Sequence, residues 1–473
     1  MEVEGNQMSE RIKIEFDGPD SVRIDGISNA TETTVDFERH LGVVDEALAR
    51  NFRVNGRLFA AGRGDENCVR VRMLDASGLV EKEFLDLVVA FGAGGPGTHP
   101  GIARLVAQQM TEGTPPVAGN VMHPLLMPTL LALRKISDMP NARVFFCNDS
   151  TVATSVAMRL ALWRHVKKRG RMLSATDSAW ADSCIVVAER GYHGSCDLSR
   201  AVLGEVATSN FGPLPDTVLK VPFGNIAALR TLFEVQGDVI AGVLLEPVQG
   251  AAGCVAPPEG YLREVAELCR DHDVVFIADE VKSGFGRLGQ FFYSPSVGAA
   301  PDLICSGKSA GGGVLPLSFV IGKPDLMEGF EQTAWGVTWS ASPAQCVALL
   351  AWIKKLSDKS PDSPSLLSEV RRKSLLLENT LDSLKRKFPK QVVGCDGVGL
   401  MRSIETVFDG RALADALLLQ GVYTTPIVHP DVVVSQKRRV YIAPALTIRD
   451  DQIRQIGTAF GDAIAVLSQT QNG

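Results

Sequence analysis

No uninterrupted apolar run in this chain approaches the roughly 18 residues that cross a bilayer; stretches such as Val239 to Leu245 fall far short. The expectation is a protein that does not span a membrane. The first residues, MEVEGNQMSERIKIEF, are polar and acidic, so neither a secretory signal nor an Arg-rich transit peptide is readable there, and a cytoplasmic protein is expected. Excess basic charge is also missing. With 48 basic and 54 acidic residues the net charge is -6, which provides no broad positive field for a phosphate backbone. Nucleic acid is an unexpected partner. The nine cysteines form no C-x-x-C pair, and the seven histidines show no H-x-x-x-H or H-E-x-x-H spacing. The thiols read as small buried hydrophobes in a reducing compartment, and no metal site is expected. Neither an internal repeat nor a low-complexity tract is present.

What the chain has is the composition of a folded globular protein, 45% hydrophobic and 22% charged. At about 100 to 200 residues per domain, 473 residues suggest two or three structural units. Between Ala142 and Lys323, strand-like runs (RVFFC, CIVVAER, DVIAGVLLEP, VVFIADE, DLICSG, LSFVIG) alternate with helix-like stretches. That alternation predicts an α/β domain of parallel strands with helical crossovers. After FFCNDST the spacing predicts a helix with Val152, Val156, Leu160 and Trp163 on one stripe, ending at Lys167, Lys168, Arg169 and Gly170. Ser342 and Pro343 read as the N-cap and first position of another helix, running toward Leu356. A second long helix carries Leu366, Val370, Leu377, Leu381, Leu384 and Phe388, and a last one starts near Asp450.

Two local patterns imitate known sites. Gly92, Gly94 and Gly97 satisfy G-x-G-x-x-G, yet the following helix runs into the loop EGTPPVAGN instead of a second strand ending in an acid, so a tight glycine turn is expected. Gly307, Ser309 and Gly311 match a nucleophile elbow, but glycines and a proline follow where that turn needs a helix. Gly307, Lys308 and Ser309 also resemble the end of a P-loop, with Asp302 where its first glycine belongs.

The strands VVFIAD and DLICSGK end in Asp279 and Lys308. In a parallel sheet both emerge at the carboxyl edge, where open α/β proteins bind ligands. Partial burial there lowers a lysine pKa and makes its amine a nucleophile toward a carbonyl. A neighbouring carboxylate meets the other need of pyridoxal phosphate, keeping the pyridine nitrogen protonated so that the ring draws electrons. Alone, a lysine and an aspartate at strand ends are more often solvated surface charges; the surrounding segments favour the cofactor.

From about Val69 to the C-terminal helix the chain resembles the class III aminotransferases, pyridoxal-phosphate enzymes of fold type I. DVVFIADEVKSGFGRLG is similar to the family's strand ending in the pyridinium aspartate, here Asp279, and CSGKSAGGGVLP to its Schiff-base segment, here Lys308. VLLEPVQGAAG matches E-P-x-Q-G and puts Glu246 near the substrate wall, while GYHG places Tyr192 on the ring face. FFCNDSTVATS resembles the phosphate cup, with Ser150 and Thr151 as donors at a helix start; simple N-capping by Asp149 to Thr151 is compatible with it. GVTWSASP resembles the segment whose threonine, here Thr338, reaches the phosphate of a neighbouring subunit. The resemblance implies a large domain with a mostly parallel seven-stranded sheet flanked by helices, over 101–341. A smaller α+β domain would come from 1–100 and 342–473. It also implies a homodimer or larger assembly with the active site at the interface.

The chain departs from the family at several positions. Asp149 stands where serine is usual, and Val152 replaces a glutamate. Lys282 occupies the place of a residue, often glutamine, that approaches the cofactor's phenolic oxygen, where a cation favours the phenolate. Tyr441 stands where many members have the arginine that grips a carboxylate, a duty for which Arg439 and Arg402 are candidates. The implied activity moves an amino group between an amine or amino acid and a keto or aldehyde acceptor. Because the substituted positions surround the ring, racemisation, elimination or carbon–carbon bond formation with the same cofactor stays an alternative.

Overall fold

The computed structural model describes residues 13–16, 22–25, 59–63, 67–75, 78–95, 97, 99–117, 121–170, 182–200, 218–330, 336–359, 363–427 and 438–470. Two compact units are present, Met1–Phe84 and Leu85–Gly473. In the first, β1 (Lys13–Phe16) pairs antiparallel with β2 (Val22–Asp25), and β3 (Phe59–Arg63) with β4 (Cys68–Asp75). Strand β5 (Gly78–Asp86) enters the second unit, where Leu85 and Asp86 pair in parallel with Val422 and Tyr423.

The second unit is built on a seven-stranded sheet. Its strands are β6 (Arg143–Cys147), β7 (Cys184–Ala188), β8 (Val218–Val221), β9 (Ile240–Leu245), β10 (Val275–Asp279), β11 (Leu303–Ser306) and β12 (Ser318–Gly322), in the order β6-β12-β11-β10-β9-β7-β8. Their apolar runs lack polar alternation because both faces are covered. Successive side chains point to opposite sides: Ile185, Val187 and Ile277 join one buried cluster, and Val186, Val243 and Phe276 the other. All neighbouring pairs are parallel except those of β12, which runs against both β11 and β6. This corrects the expectation for LSFVIG. The connection 307–317 holds one short 3-10 turn and no crossover helix, so the chain turns back on itself. Since β12 opposes both neighbours, β6 and β11 still point the same way.

Helix α1 (Pro100–Glu112) follows the glycine turn, α2 (Leu126–Ile136) precedes β6, and α3 (Ser150–Lys168) follows it. Of the stripe expected on α3, Val156, Leu160 and Trp163 are buried but Val152 is 40% exposed. Most of the helix surface is buried, including Ala153, Ser155, Met158 and Leu162, because the sheet lies on one side and short helical segments at Asp197–Arg200 and Pro324–Met327 pack elsewhere on it. Helices α4 (Ile226–Gln236) and α5 (Tyr261–Asp271) cover the opposite face of the sheet.

Ser342 caps α6 (Pro343–Ser357) through a full capping box with Gln345, with Pro343 in the first turn. Helix α7 (Leu366–Lys387) buries Val370, Leu377, Leu381 and Leu384. Strands β13 (Val392–Val398) and β14 (Met401–Thr406) form an antiparallel sheet with β16 (Arg439–Ile442), after helix α8 (Gly410–Leu419) and the short β15 (Val422–Tyr423). The final helix, α9 (Asp450–Thr470), packs on α7. Among the described residues no helix is long and apolar enough to cross a membrane.

Candidate active site

Four parallel strands deliver their chemistry to one edge. Asp279 is the last residue of β10 and pairs in register with Cys305 of β11, so Lys308 emerges just past the neighbouring strand end. Glu246 follows the end of β9, and Tyr192 lies in the turn after β7. Asp279 and Glu246 are both buried. Burial is the larger influence on Glu246 and pushes its carboxyl above the usual carboxylate range, opposed by His193 and reinforced by Asp279. Its two oxygens are engaged, one by the Tyr192 amide at 3.0 Å and the other by the Gly250 amide at 2.9 Å. Glu246 thus ties the aromatic turn to the loop after β9.

Asp279 is positioned from two sides. The Val281 amide donates to Oδ1 at 3.1 Å, and the Nδ1–H of His193 donates to Oδ2 at 2.6 Å. His193 was not singled out in the sequence; its place beside Tyr192 in GYHG was the only signal. Its Nε2 is buried without a partner. The next acid, Glu280, is structural, accepting from the Ser294 amide at 2.6 Å and from the Ser294 hydroxyl at 2.8 Å.

Lys308 stands at φ 46 at the start of a 3-10 turn. No hydrogen bond or ion pair involves its ammonium among the described residues. Burial pulls its pKa below the usual lysine value, while Asp279, Glu246 and Asp149 pull the other way. Beside it Gly307 has to be glycine for lack of room: a Cβ there would stand 2.5 Å from the Ser318 hydroxyl and would also collide with Ser150. Those two hydroxyls face each other at 3.1 Å, which brings the start of α3, the end of β11 and the start of β12 together. Asp149 caps α3, accepting from the Thr151 amide at 2.7 Å. Thr151 in turn packs where a Cβ on Gly194 would lie, 2.6 Å from its methyl group.

Neither imitation holds in three dimensions. The hydroxyl of Ser309 is buried and donates to the Phe285 carbonyl at 3.1 Å. Gly95, within the glycine turn, has no room for a side chain because Ser309 lies against it, the virtual Cβ being 2.7 Å from its Cβ. Asp302 accepts from the Phe276 amide at 2.8 Å and pairs with Lys323 at 2.5 Å, so it is a strand-end brace.

Lys282 and Tyr441 meet on the other wall. The ammonium lies 4.2 Å from the centre of the Tyr441 ring, and the phenol donates to the Gly250 carbonyl at 3.0 Å. Burial first, and then the charge of Lys308, lowers the Lys282 pKa to about 8. Neither arginine proposed to replace the missing one is free. Arg439 pairs with Glu405 at 2.8 Å and Asp396 at 3.6 Å, and Arg402 with Glu378 at 3.1 Å. The guanidinium of Arg287, in the G-F-G-R turn, donates to the carbonyls of Leu400 at 3.1 Å and Pro444 at 2.5 Å. Thr338 is exposed, next to a Trp339 that is 61% exposed, and among the described residues no hydrogen bond or ion pair joins it to the cluster.

An unpartnered, partly buried lysine, a buried aspartate braced by histidine, an aromatic side chain on the adjoining turn and hydroxyls at a helix start fit pyridoxal phosphate, whose aldehyde, ring nitrogen, ring face and phosphate need those partners. With the sheet order, they define a transferase of fold type I. The family described as "Aminotransferase class-III" matches residues 71–464, and the chain belongs to it. It is a pyridoxal-phosphate-dependent aminotransferase, and racemisation, elimination or carbon–carbon bond formation is not favoured. It is 29% identical over 460 residues to the mitochondrial ornithine aminotransferase of Arabidopsis thaliana, covering 92% of this chain and 87% of that one. To the acetylornithine aminotransferase of Methanothermobacter thermautotrophicus it is 32% identical over 337 residues, 69% of this chain and 76% of the other. The solved ornithine aminotransferase of Toxoplasma gondii has the same fold, with a TM-score of 0.74 at 20% identity over 93% of this chain and all of that one.

Proposed function

We propose that Lys308 is the residue to which the cofactor is attached and the one that moves the proton during amino transfer. The observation that carries this is its place: an amine without a partner, partly buried, at the strand end beside Asp279. When bound, the cofactor supplies an aldehyde that takes up the amino group and a ring that withdraws electrons. Asp279 holds the proton on the ring nitrogen, its carboxylate kept in line by His193 and the Val281 amide. Tyr192 covers one ring face. The Ser150 and Thr151 hydroxyls take the phosphate; the Thr151 amide is already used by Asp149, so hydroxyls carry more of that duty here than helix amides do. With its pKa lowered by burial, Lys308 would accept at Nζ the proton leaving the amine-bearing carbon of the substrate and would deliver it to the carbon that was the cofactor's aldehyde. Glu246 shapes the substrate wall.

Both curated relatives are named for amino-acid donors, which supports an amino acid in that role and a keto or aldehyde compound as acceptor. We further propose a cytoplasmic homodimer in which Thr338 reaches the partner's phosphate site. Its exposed position, beside exposed Trp339, supports that reading. The smaller domain is proposed to draw on 1–100 and 342–473, with 101–341 holding the cofactor. The test is a panel of amine donors and keto or aldehyde acceptors mixed with the holoenzyme. Loss of the cofactor's absorption band with each competent donor, and its return with acceptor, is expected from wild type and not from Lys308→Ala.

A further inference from the structure

On the reading that this pocket carries amino transfer from Lys308, we propose that Lys282 is the carboxylate receptor of the site, so that the donor is an amine bearing a carboxylate bound by this lysine. The wall where an arginine fork is absent instead holds Tyr441, and its phenol cannot replace the fork because it is committed to the Gly250 carbonyl at 3.0 Å. Arg439 is committed to Glu405 and Asp396 and Arg402 to Glu378, while the buried Arg287 gives Nη1 to two backbone carbonyls and keeps Nη2 without a partner. Glu246, an acid that acts on Lys282 electrostatically, has both oxygens engaged by backbone amides.

Lys282 has no counter-ion on this wall, and unlike the buried Arg287, whose guanidinium donates to backbone carbonyls, its ammonium makes no hydrogen bond either among the described residues. Among the described residues its ammonium has no hydrogen bond or ion pair, only the face of the Tyr441 ring at 4.2 Å. Its stem is pinned by Gly250, where a Cβ would stand 2.6 Å from Cδ and 2.9 Å from Nζ, so the absence of a side chain there lets the ammonium reach the ring. A partly buried ammonium resting on an aromatic face retains much of its desolvation cost. An incoming carboxylate removes that cost and adds a charge-assisted hydrogen bond. Lys282 and Lys308 lie just past the ends of the paired parallel strands β10 and β11, so both amines stand at the same sheet edge.

Lysine is a point charge and has no planar fork, so it recognises one carboxylate oxygen without fixing the plane of the group. Broad tolerance of the carbon skeleton, with a firm demand for the negative charge, is the specificity that follows.

The test uses the holoenzyme and two unreactive probes of equal shape, 4-methylpentanoate and 4-methylpentanamide, with binding measured by titration calorimetry. The unmodified enzyme is expected to prefer the carboxylate by about tenfold or more, and Lys282→Met and Lys282→Gln to lose that preference. The ratio of kcat/KM for an amino acid over its decarboxylated amine should fall by a similar factor in both variants. No preference in the unmodified enzyme overturns the proposal, whether or not the variants fold. So does a preference that survives in a variant while its cofactor absorption band shifts, which would assign Lys282 to the cofactor's phenolic oxygen. Borohydride labelling of the same samples separates the two readings: a label on Lys308 with no carboxylate preference sinks only the role of Lys282, and a label elsewhere sinks the site.

Discussion

The Nδ1–H of His193 donates to Oδ2 of Asp279 at 2.6 Å, with both side chains buried. A hydrogen bond to a buried carboxylate fixes the direction of its lone pairs and is worth about 1.5 to 3 kcal/mol. Replacing His193 by Phe leaves Asp279 with the Val281 amide alone. The expected result is a kcat about 10 to 100-fold lower, with KM for the amine donor changing much less, in steady-state assays at saturating cofactor. An unchanged kcat would show that Asp279 needs no such brace.

Gly307 offers a test of packing. It stands at an extended φ of -179, which any residue adopts, so the penalty for a methyl group there is steric and not conformational. Gly307→Ala pushes on the facing hydroxyls of Ser150 and Ser318. Overpacking of this kind costs about 1 to 3 kcal/mol. Denaturant unfolding should show that loss, and equilibrium dialysis should show weaker retention of cofactor, because Ser150 is a proposed phosphate donor.

Lys282 gives a pH signature of its own. Its folded pKa is lowered from 10.5 to about 8, so between those values the unfolded chain binds the extra proton. Stability then rises with pH across that window, since the unfolded state loses protons the folded state no longer holds. From about pH 7.5 to 9.5 the contribution is about 2 kcal/mol. Unfolding free energies of the cofactor-free chain should therefore climb more steeply with pH in wild type than in Lys282→Met. Parallel curves would mean that the ammonium is not desolvated.

The sheet edge was legible because each strand is an apolar run that ends in a chemically distinct residue: Asp279 closes VVFIAD, and Lys308 follows DLICSG. The cap at Ser342 was legible for a local reason too, since a capping box lies within four consecutive residues. Contacts between segments distant in sequence were not. Nothing in GYHG says which side chain faces Asp279, and Tyr192 took the attention because an aromatic ring has an evident use. Val152 fits a helical stripe by spacing, but the stripe has no meaning on a helix buried nearly all round. The reversal of β12 could be read only from the shortness of 307–317, and the meeting of Lys282 with Tyr441 depends on how β16 lies against the loop after β10.

The most direct test is to reduce the holoenzyme with borohydride, digest it and map the labelled peptide. Covalent label on the peptide carrying Lys308, and none on Lys308→Ala, is the predicted result. Label on the peptide carrying Lys282, the other partly buried lysine at this sheet edge, would contradict it.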